Sequence, residues 1–196
     1  MDTSDTDAAQ SMPPRERILA AAADLFYRQG IRAIGVDAIV EQAGTNKMTL
    51  YRHFASKDEL VAEYLQREAA SADRIWTDLA ARHPNDPLAQ LRAWFRDMSD
   101  HASSADHRGC ALANAAIELP EEDHPARAVV REHKNGTRDR VVKLARAAGM
   151  TEPKMLADEL FLLLEGARVT AQSVGREGLG ARLVRMGEAM IAAHRG

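Results

Sequence analysis

The sequence predicts an all-α protein, in which an N-terminal three-helix, helix-turn-helix domain is followed by a C-terminal helical bundle. Alanine is the commonest residue, β-branched residues are sparse, and the strict apolar–polar alternation of strands is rare. Apolar residues recur instead at the three- and four-residue spacing of helices. The 196 residues are 45% hydrophobic and 28% charged, a composition typical of a chain that buries its own core.

Two helices are predicted after a polar leader, residues 1–12, that we expect to be disordered. Pro13 and Pro14 open the first, because proline fits the first helical turn, and Gly30 ends it. The second covers residues 36–43, with apolar side chains at helical spacing, and Gly44 stops it.

A third, short helix follows, with Asn46 as its predicted N-cap. Leu50 and Phe54 lie four residues apart, so both are expected to face inward. Ser56 and Glu59 then form the pattern of a capping box, which predicts the start of a fourth helix.

The fourth helix is expected to end at the turn of residues 84–87, which contains two prolines. Residues 135–136, Asn-Gly, lie within one of the later helices and are able to bend or break it. Those later helices are predicted at residues 88–102, 110–119, 125–148, 153–174 and 179–194.

A basic patch coincides with the third helix. Between Arg28 and Lys57 the chain has five basic and two acidic residues, whereas its overall net charge is −3. The second helix of a helix-turn-helix fits the major groove of DNA, and positive charge attracts phosphates. The residues predicted to contact DNA are Thr45, Asn46, Lys47, Met48, Thr49, Tyr51, Arg52, His53 and Lys57.

Individual contacts follow from side-chain chemistry. The hydroxyls of Thr45 and Tyr51 suit phosphate oxygens, and the Lys57 ammonium stands where a helix N-terminus already favours phosphate. Thr49 can reach a phosphate or a thymine methyl, and Arg52 a phosphate or guanine. As an alternative, Tyr51 is a half-buried packing aromatic and the charges form an ordinary solvated face.

Residues 15–60 resemble the DNA-binding domain of the TetR family of bacterial transcriptional regulators. The resemblance rests on four motifs in order: F-x-x-x-G at 26–30, I-x-x-x-A-G at 39–44, T-L-Y-x-H-F at 49–54, and Lys57 followed by Glu59-Leu60. Met48 departs from the pattern, because the family more often has glycine, alanine or proline there. The resemblance implies that Lys47, Thr49, Tyr51, Arg52 or His53, and Lys57 touch an operator DNA duplex.

The resemblance also implies how the chain is organised. Residues 13–58 would be the DNA-binding domain and residues 59–196 a helical domain for ligand sensing and dimerisation. Segments 108–118, 124–134, 156–158 and 162–167 are similar, more loosely, to one common C-terminal subtype. The implied protein is a homodimeric regulator, most often a repressor that a small-molecule effector releases from a pseudo-palindromic operator by shifting the population of two packings. A regulator that binds DNA without a small molecule is the alternative.

Dimerisation is expected through the last two helices, because family members pair through a bundle of four such helices. Intramolecular core packing is the alternative for some of these side chains. The predicted interface residues are Leu162, Gly166, Val169, Thr170, Ser173, Leu183, Met186 and Met190.

An effector pocket is expected among the central helices, where apolar walls and a few polar groups would bind a small molecule. Ordinary core packing is the alternative for each residue, and a pairing of Arg168 with Glu118 or a redox role for Cys110 is also considered. The predicted pocket residues are Trp94, Met98, His101, Cys110, Asn114, Ile117, Phe161, Leu164 and Arg168.

An enzyme is disfavoured. A di-iron bundle needs two Glu-x-x-His pairs, and the chain has one, Glu121 to His124, in a predicted loop. The histidines His101, His107, His124 and His133 are expected to be solvated rather than metal ligands. A single cysteine excludes a disulfide framework, and we expect no cofactor or metal.

A membrane span is also disfavoured. The longest purely aliphatic or aromatic run, residues 160–164, is far shorter than the ~20 residues a span needs. The acidic, polar start does not resemble a secretory signal. We therefore expect a cytoplasmic protein with no membrane partner.

Overall fold

The computed structural model of the protein describes residues 12–104 and 108–195, and the regular structure within those ranges is helical. In chain order the helices are α1 (Pro14–Gln29), α2 (Val36–Gln42), α3 (Lys47–His53), α4 (Lys57–Arg82), α5 (Pro87–Ser103), α6 (Ala111–Glu118), α7 (Pro125–Ala147), α8 (Pro153–Ser173) and α9 (Leu179–Ala193). The all-α prediction is confirmed. The expected leader, apart from Met12, lies outside the described residues, as does His107.

The helices begin and end where local sequence signals predict, within two residues. Proline starts α1, α5, α7 and α8, where its missing N–H would have no helical partner in any case. The Asp86 side chain caps α5 by accepting a hydrogen bond from the Ala89 N–H at 2.9 Å. Helix α7 runs without a break through Asn135 and Gly136, so this pair does not end it.

The described residues pack into two compact units that do not follow chain order. One contains the residues up to Ala69 together with Ala111–Val130, and the other contains Ala70–Cys110 and the residues from Arg131 onward. Residues 59–69 and helix α6 therefore pack with the helix-turn-helix. The sequence-based bounds of 13–58 and 59–196 stay a prediction.

The core of the first unit is built from α1, α2, α3 and the first half of α4. Ile18, Ile39, Leu50 and Leu60 are fully buried there. The rings of Phe26 and Tyr64 also meet, with centroids 5.7 Å apart. Burial of these side chains fixes how the helices are arranged, since α2 and α3, with seven residues each, are too short to be stable alone.

The core of the second unit joins α5, the later part of α7, α8 and α9. Trp94 is 2% exposed and stacks on Trp76 with ring centroids 5.9 Å apart. Leu156, Leu160 and Leu164 of α8 complete this cluster. No helix in the described ranges has both the length and the apolar character to cross a bilayer.

Gly30, which ends α1, is required by its backbone conformation. Its φ of 94° and ψ of 152° lie in a region that only glycine adopts without strain. A Cβ added there would also stand 3.0 Å from a carboxylate oxygen of Glu118. We expect Gly30→Ala to lower the free energy of unfolding by about 1–3 kcal/mol, measured by urea denaturation followed by circular dichroism.

Gly136→Ala is the matched control for this substitution. Gly136 lies within α7, and a Cβ there would meet no heavy atom within 4 Å. Because alanine favours a helix interior over glycine by about 1 kcal/mol, this variant is expected to gain stability. Equal effects at the two glycines would contradict the proposed strain at Gly30.

Candidate nucleic-acid interface

The short helix α3 is held by one cap and two buried side chains. The Asn46 side chain accepts a hydrogen bond from the Thr49 N–H at 2.9 Å, which confirms the predicted N-cap. Leu50 and Phe54 are buried, as their spacing predicts. The remaining positions of α3 therefore face away from the core of their unit.

The outward face of α3 presents donors and one large apolar side chain. Met48 is 72% exposed and Tyr51 is 51% exposed, and Lys47 and Arg52 are exposed as well. About half of Tyr51 is thus accessible to a partner, and the other half packs within the protein. The other predicted contacts are partly exposed at Thr45, Thr49 and His53, whereas Asn46 is exposed with its side chain engaged in the cap.

The Lys57 ammonium, which is predicted to contact phosphate at the start of α4, bonds within its own unit in this structure. It donates a hydrogen bond to the Ile31 carbonyl oxygen at 2.7 Å and lies 5.8 Å from the centroid of the Phe26 ring. Burial lowers the pKa of Lys57, while Asp58 and Glu118 oppose that effect. In this conformation Lys57 ties the start of α4 to the loop after α1, using one of the three N–H donors of its ammonium.

Arg17 positions the turn between α2 and α3, a role that sequence analysis missed. Its guanidinium donates hydrogen bonds to the carbonyl oxygens of Ala43 at 3.1 Å and Gly44 at 3.2 Å. These carbonyls end α2 and have no helical partner of their own. The only available signal was an arginine on the exposed side of α1, which does not specify an acceptor 26 residues away.

Helix α6 and the loop after it contact the loop between α1 and α2. A Glu118 oxygen accepts a hydrogen bond from the Arg32 N–H at 3.1 Å, and the Arg32 guanidinium pairs with Glu121 at 2.6 Å. His124 lies 3.4 Å from Asp58. These contacts, absent from the sequence-based predictions, join α6 to the helix-turn-helix.

Glu121 and His124 are the Glu-x-x-His pair that a di-iron enzyme would need. The two side chains have different partners in a loop rather than converging from one helix. Throughout residues 12–104 and 108–195, no three histidine, cysteine, aspartate or glutamate side chains form a group suited to a metal.

An ion pair restrains Lys47 within the outward face. Its ammonium lies 2.8 Å from an Asp37 oxygen of α2, and both side chains are largely exposed. The hydrogen bond to Asp37 raises the pKa of Lys47, so the ammonium stays charged at neutral pH. Asp37 thus competes with any phosphate for this cation.

We expect Asp37→Asn to raise the affinity for DNA about 3- to 10-fold at low salt. The change frees Lys47 and removes a carboxylate that repels phosphates within the Debye length of about 10 Å. Fluorescence anisotropy with a labelled duplex measures the effect. Glu41→Gln is the control, because it removes the same charge from α2 without touching Lys47. An equal gain from both variants would mean that net charge alone matters.

Two segments of the sequence each match a family profile. The profile described as "Bacterial regulatory proteins, tetR family" matches residues 18–64, which include α2, α3 and their turn. The profile described as "Tetracyclin repressor-like, C-terminal domain" matches residues 87–186. The chain belongs to the TetR family. It is therefore a DNA-binding transcriptional regulator with a helix-turn-helix, and the family's members are not enzymes.

Curated relatives of this TetR-family regulator include an activator and a repressor of transcription. The transcriptional activator FasR of Mycolicibacterium smegmatis is 37% identical over 94 residues, 45% of this chain and 42% of FasR. The transcriptional repressor KstR2 of Mycobacterium tuberculosis is 42% identical over 91 residues, 46% of this chain and 45% of KstR2. The match thus covers less than half the length of each relative.

Solved structures match over nearly the whole chain. A TetR-family transcriptional regulator from Streptomyces coelicolor has a TM-score of 0.87 and 29% identity, covering 93% of this chain and 96% of that one. A tetR-type regulator from Streptomyces avermitilis has a TM-score of 0.79 and 32% identity, covering 93% and 98%. The N-terminal helix-turn-helix and C-terminal helical domain of this TetR-family member are thereby supported along their length.

The residues predicted to line an effector pocket are divided between the two units of the TetR-family chain. Trp94 and Leu164 are buried in the core of the second unit, so core packing, the alternative to a pocket wall, accounts for both. Asn114 and Ile117 belong to the first unit, and Ile117 is largely exposed. The second unit also contains Met98, His101, Cys110, Phe161 and Arg168, each of which keeps some exposed surface.

Arg168 and Glu118, considered as partners, each have another partner. The Arg168 guanidinium pairs with Glu165 three residues earlier on α8, and Glu118 accepts the Arg32 N–H. Cys110 is a partly exposed free thiol.

The predicted dimer residues separate into an outer and an inner set. Leu162 is 72% exposed, and Gly166, Val169 and Ser173 of the same helix are exposed too. On α9, Met186 is exposed, and Thr170 of α8 and Met190 of α9 are partly buried. Leu183 is buried in its own chain against Ala167, Ala171 and Leu179, which is the packing that the alternative of an intramolecular core describes.

Proposed function

We propose that this TetR-family regulator is a repressor that binds a pseudo-palindromic operator as a homodimer and is released by a small-molecule effector. We place its action in the cytoplasm, with the DNA that it binds. The observation that supports DNA recognition by α3 is its division into two faces. Leu50 and Phe54 are buried, while Lys47, Met48, Tyr51 and Arg52 are exposed together on the other side.

The chemistry of the exposed face matches what a major groove offers. Lysine, tyrosine and threonine donors reach phosphate oxygens, and Arg52 can pair with the acceptors of guanine. The exposed thioether of Met48 adds an apolar contact suited to a thymine methyl. We infer that Met48 gives the operator a sequence preference of its own within the family.

Selection of bound fragments from sheared genomic DNA of the source organism tests this proposal. We expect enrichment of an inverted repeat whose half-site centres are about 34–36 Å apart along the duplex, because a two-fold dimer places one α3 in each successive major groove. In transcription from a promoter that overlaps the site, added protein is expected to lower the transcript level. A rise instead would assign activation, and no enrichment by dimeric protein would contradict operator binding.

The proposed dimer rests on an apolar stripe along α8. Met155, Leu162 and Val169 are exposed at seven-residue spacing, with the small residues Gly166 and Ser173 beside them. Exposed apolar side chains along one helical face are typical of an interface between helices, and small residues let helices approach closely. A two-fold axis would place this stripe against its own copy.

We expect Leu162→Glu to convert the dimer into a monomer at micromolar concentration. Burying two unpaired carboxylates at the centre of a helical interface costs several kcal/mol. Light scattering measures the mass, which is expected to fall from twice the 21.5 kDa of the chain to that value. Val174→Glu is the control, because Val174 is exposed but follows the end of α8. Dimers of both variants would place the interface elsewhere.

A route for effector release is supported within the first unit. The carboxylates of Glu118 and Glu121 hold Arg32, so a displacement of α6 would act on the loop that precedes α2. The effector shifts the equilibrium between two packings by its difference in affinity for them, typically about 1–3 kcal/mol. That coupling corresponds to about a 5- to 150-fold change in operator affinity.

A further inference from the structure

A cluster of charged side chains in the second unit has more cations than carboxylates. Lys134 of α7 and Arg168 of α8 both donate to the same oxygen of Glu165, with the Lys134 ammonium at 2.6 Å. Arg140 pairs with Asp73 at 3.0 Å. Arg140 and Asp73 balance each other, whereas Lys134 and Arg168 share the single carboxylate of Glu165, which leaves one positive charge among these described residues.

This excess charge is poorly solvated. The side chains of Arg168 and Lys134 are only 15% and 19% exposed. A cation withdrawn from water without its own counter-ion is destabilising, and an anion bound beside it would relieve that cost. The cluster therefore differs from a surface ion pair, which gains little from a further partner.

The Arg168 guanidinium also has an unused donor. One terminal nitrogen bonds to Glu165, while the buried Nε–H has no hydrogen-bond partner among the described residues. Guanidinium groups bind carboxylates through two parallel N–H donors, a geometry that lysine cannot supply. An orphaned Nε–H beside excess positive charge is thus suited to a carboxylate.

Two histidines lie in the field of the same cations. Burial, and then the Arg168 guanidinium, lower the pKa of His101. Burial lowers the pKa of His133 as well; Asp73 opposes this effect, whereas Lys134, Arg140 and Arg168 add to it. Both imidazoles are therefore neutral near pH 7, so they do not increase the excess charge.

An aromatic wall adjoins the cations. The Lys134 ammonium lies 5.5 Å from the centroid of the Phe161 ring, and Phe161 keeps part of its surface exposed. We propose that Arg168 and Lys134 bind the carboxylate of a small organic acid whose apolar body packs against Phe161. That this acid is the effector rests on the proposed function above.

Binding to the full-length protein tests the site with hexanoate, octanoate and benzoate, each beside its primary amide. The amides keep shape and apolar surface but lack the charge. In isothermal titration calorimetry we expect at least one carboxylate to bind with a Kd below about 1 mM and at least tenfold more tightly than its amide, a difference of about 1.4 kcal/mol. Inorganic phosphate is expected to compete at least tenfold less well than that carboxylate.

Three variants separate this site from a purely structural ion-pair network. Arg168→Gln and Arg168→Lys are each expected to weaken carboxylate binding at least tenfold. Arg168→Lys keeps the positive charge but removes the pair of parallel N–H donors. Arg138→Gln is the matched control, since Arg138 pairs with Asp158 and joins the same helices, α7 and α8. It is expected to bind within twofold of wild type. Circular dichroism checks that each variant is folded.

Several results would overturn the carboxylate site. They are failure of every carboxylate to bind at 10 mM, equal binding of acid and amide, equal competition by phosphate, or unchanged binding by folded Arg168→Lys. Operator affinity, measured on the same samples with and without the acid, distinguishes the two proposals. Carboxylate binding without DNA binding contradicts the proposed function alone, whereas DNA binding without carboxylate binding contradicts the site alone.

Discussion

Replacing Lys47 and Tyr51 together with alanine is expected to weaken operator binding about 30- to 700-fold. Each side chain supplies one contact worth about 1–2 kcal/mol, and about 1.4 kcal/mol corresponds to a factor of ten. Removal of the Lys47 charge is also expected to reduce the slope of log affinity against log salt by about one. Anisotropy titrations at several salt concentrations measure both effects.

The double variant is expected to fold as the wild type does. Both side chains are exposed, and the cap and the buried pair that hold α3 are untouched. Arg28→Ala is the control, because Arg28 is an exposed basic residue at the end of α1 whose guanidinium pairs with Asp24. Equal losses in both variants would indicate that general positive charge, and not the face of α3, binds DNA.

Trp94→Ala is expected to lower the free energy of unfolding by about 3–5 kcal/mol, the cost of removing a large aromatic side chain from a core. Trp94 is almost fully buried and stacks on Trp76, and Leu91, Leu160 and Leu164 lie in the same cluster. A loss of this size is a large fraction of the 5–15 kcal/mol that stabilises a typical domain. Urea denaturation followed by circular dichroism at 222 nm measures it.

Trp94→Phe is the companion variant, expected to lose about 1–2 kcal/mol because part of the ring stacking survives. The pair of substitutions decides between two roles for Trp94. A loss below about 1 kcal/mol in Trp94→Ala would mean that the indole is not required for packing, which would restore it as a wall of the effector pocket.

The positions of the helices were predictable because their signals are local. Asn46 caps α3 with a residue three positions away, and Gly30 and Gly44 allow backbone conformations that disfavour further helix. Each such signal acts within one turn of helix, so neighbouring residues suffice to read it. Leu50 and Phe54 were predictable for the same reason, since their spacing alone puts them on one side.

The partners of the charged side chains were not predictable. Lys57 was expected beside a phosphate at the start of α4, and its acceptor within the chain, the carbonyl oxygen of Ile31, was not foreseen. Arg32 finds Glu121 at a separation of 89 residues. A charged group has no preferred partner in sequence, and its contacts depend on which distant segments the fold brings near.

Which apolar side chains are buried in the core and which are exposed was also not predictable from the sequence. Leu162 and Leu183 both fit a dimer interface by residue type and helical spacing, but one is exposed and the other is buried. Trp94 and Leu164 likewise suit a pocket wall or a core equally well, and the structure buries both. The hydrophobic effect depends on area removed from water and not on direction, so residue type does not determine what covers an apolar side chain.

By itself, the sequence determined the all-α class, the ends of the helices, the exposed face of α3 and the resemblance to the TetR family. The tertiary structure decided which leucines and tryptophans are core, where Lys57 and Arg17 point, and that Arg168 and Lys134 share Glu165. The physical reason is the range of the forces involved. Caps, turns and helical spacing act between neighbours, whereas burial and charge pairing act between segments that only the folded chain brings together.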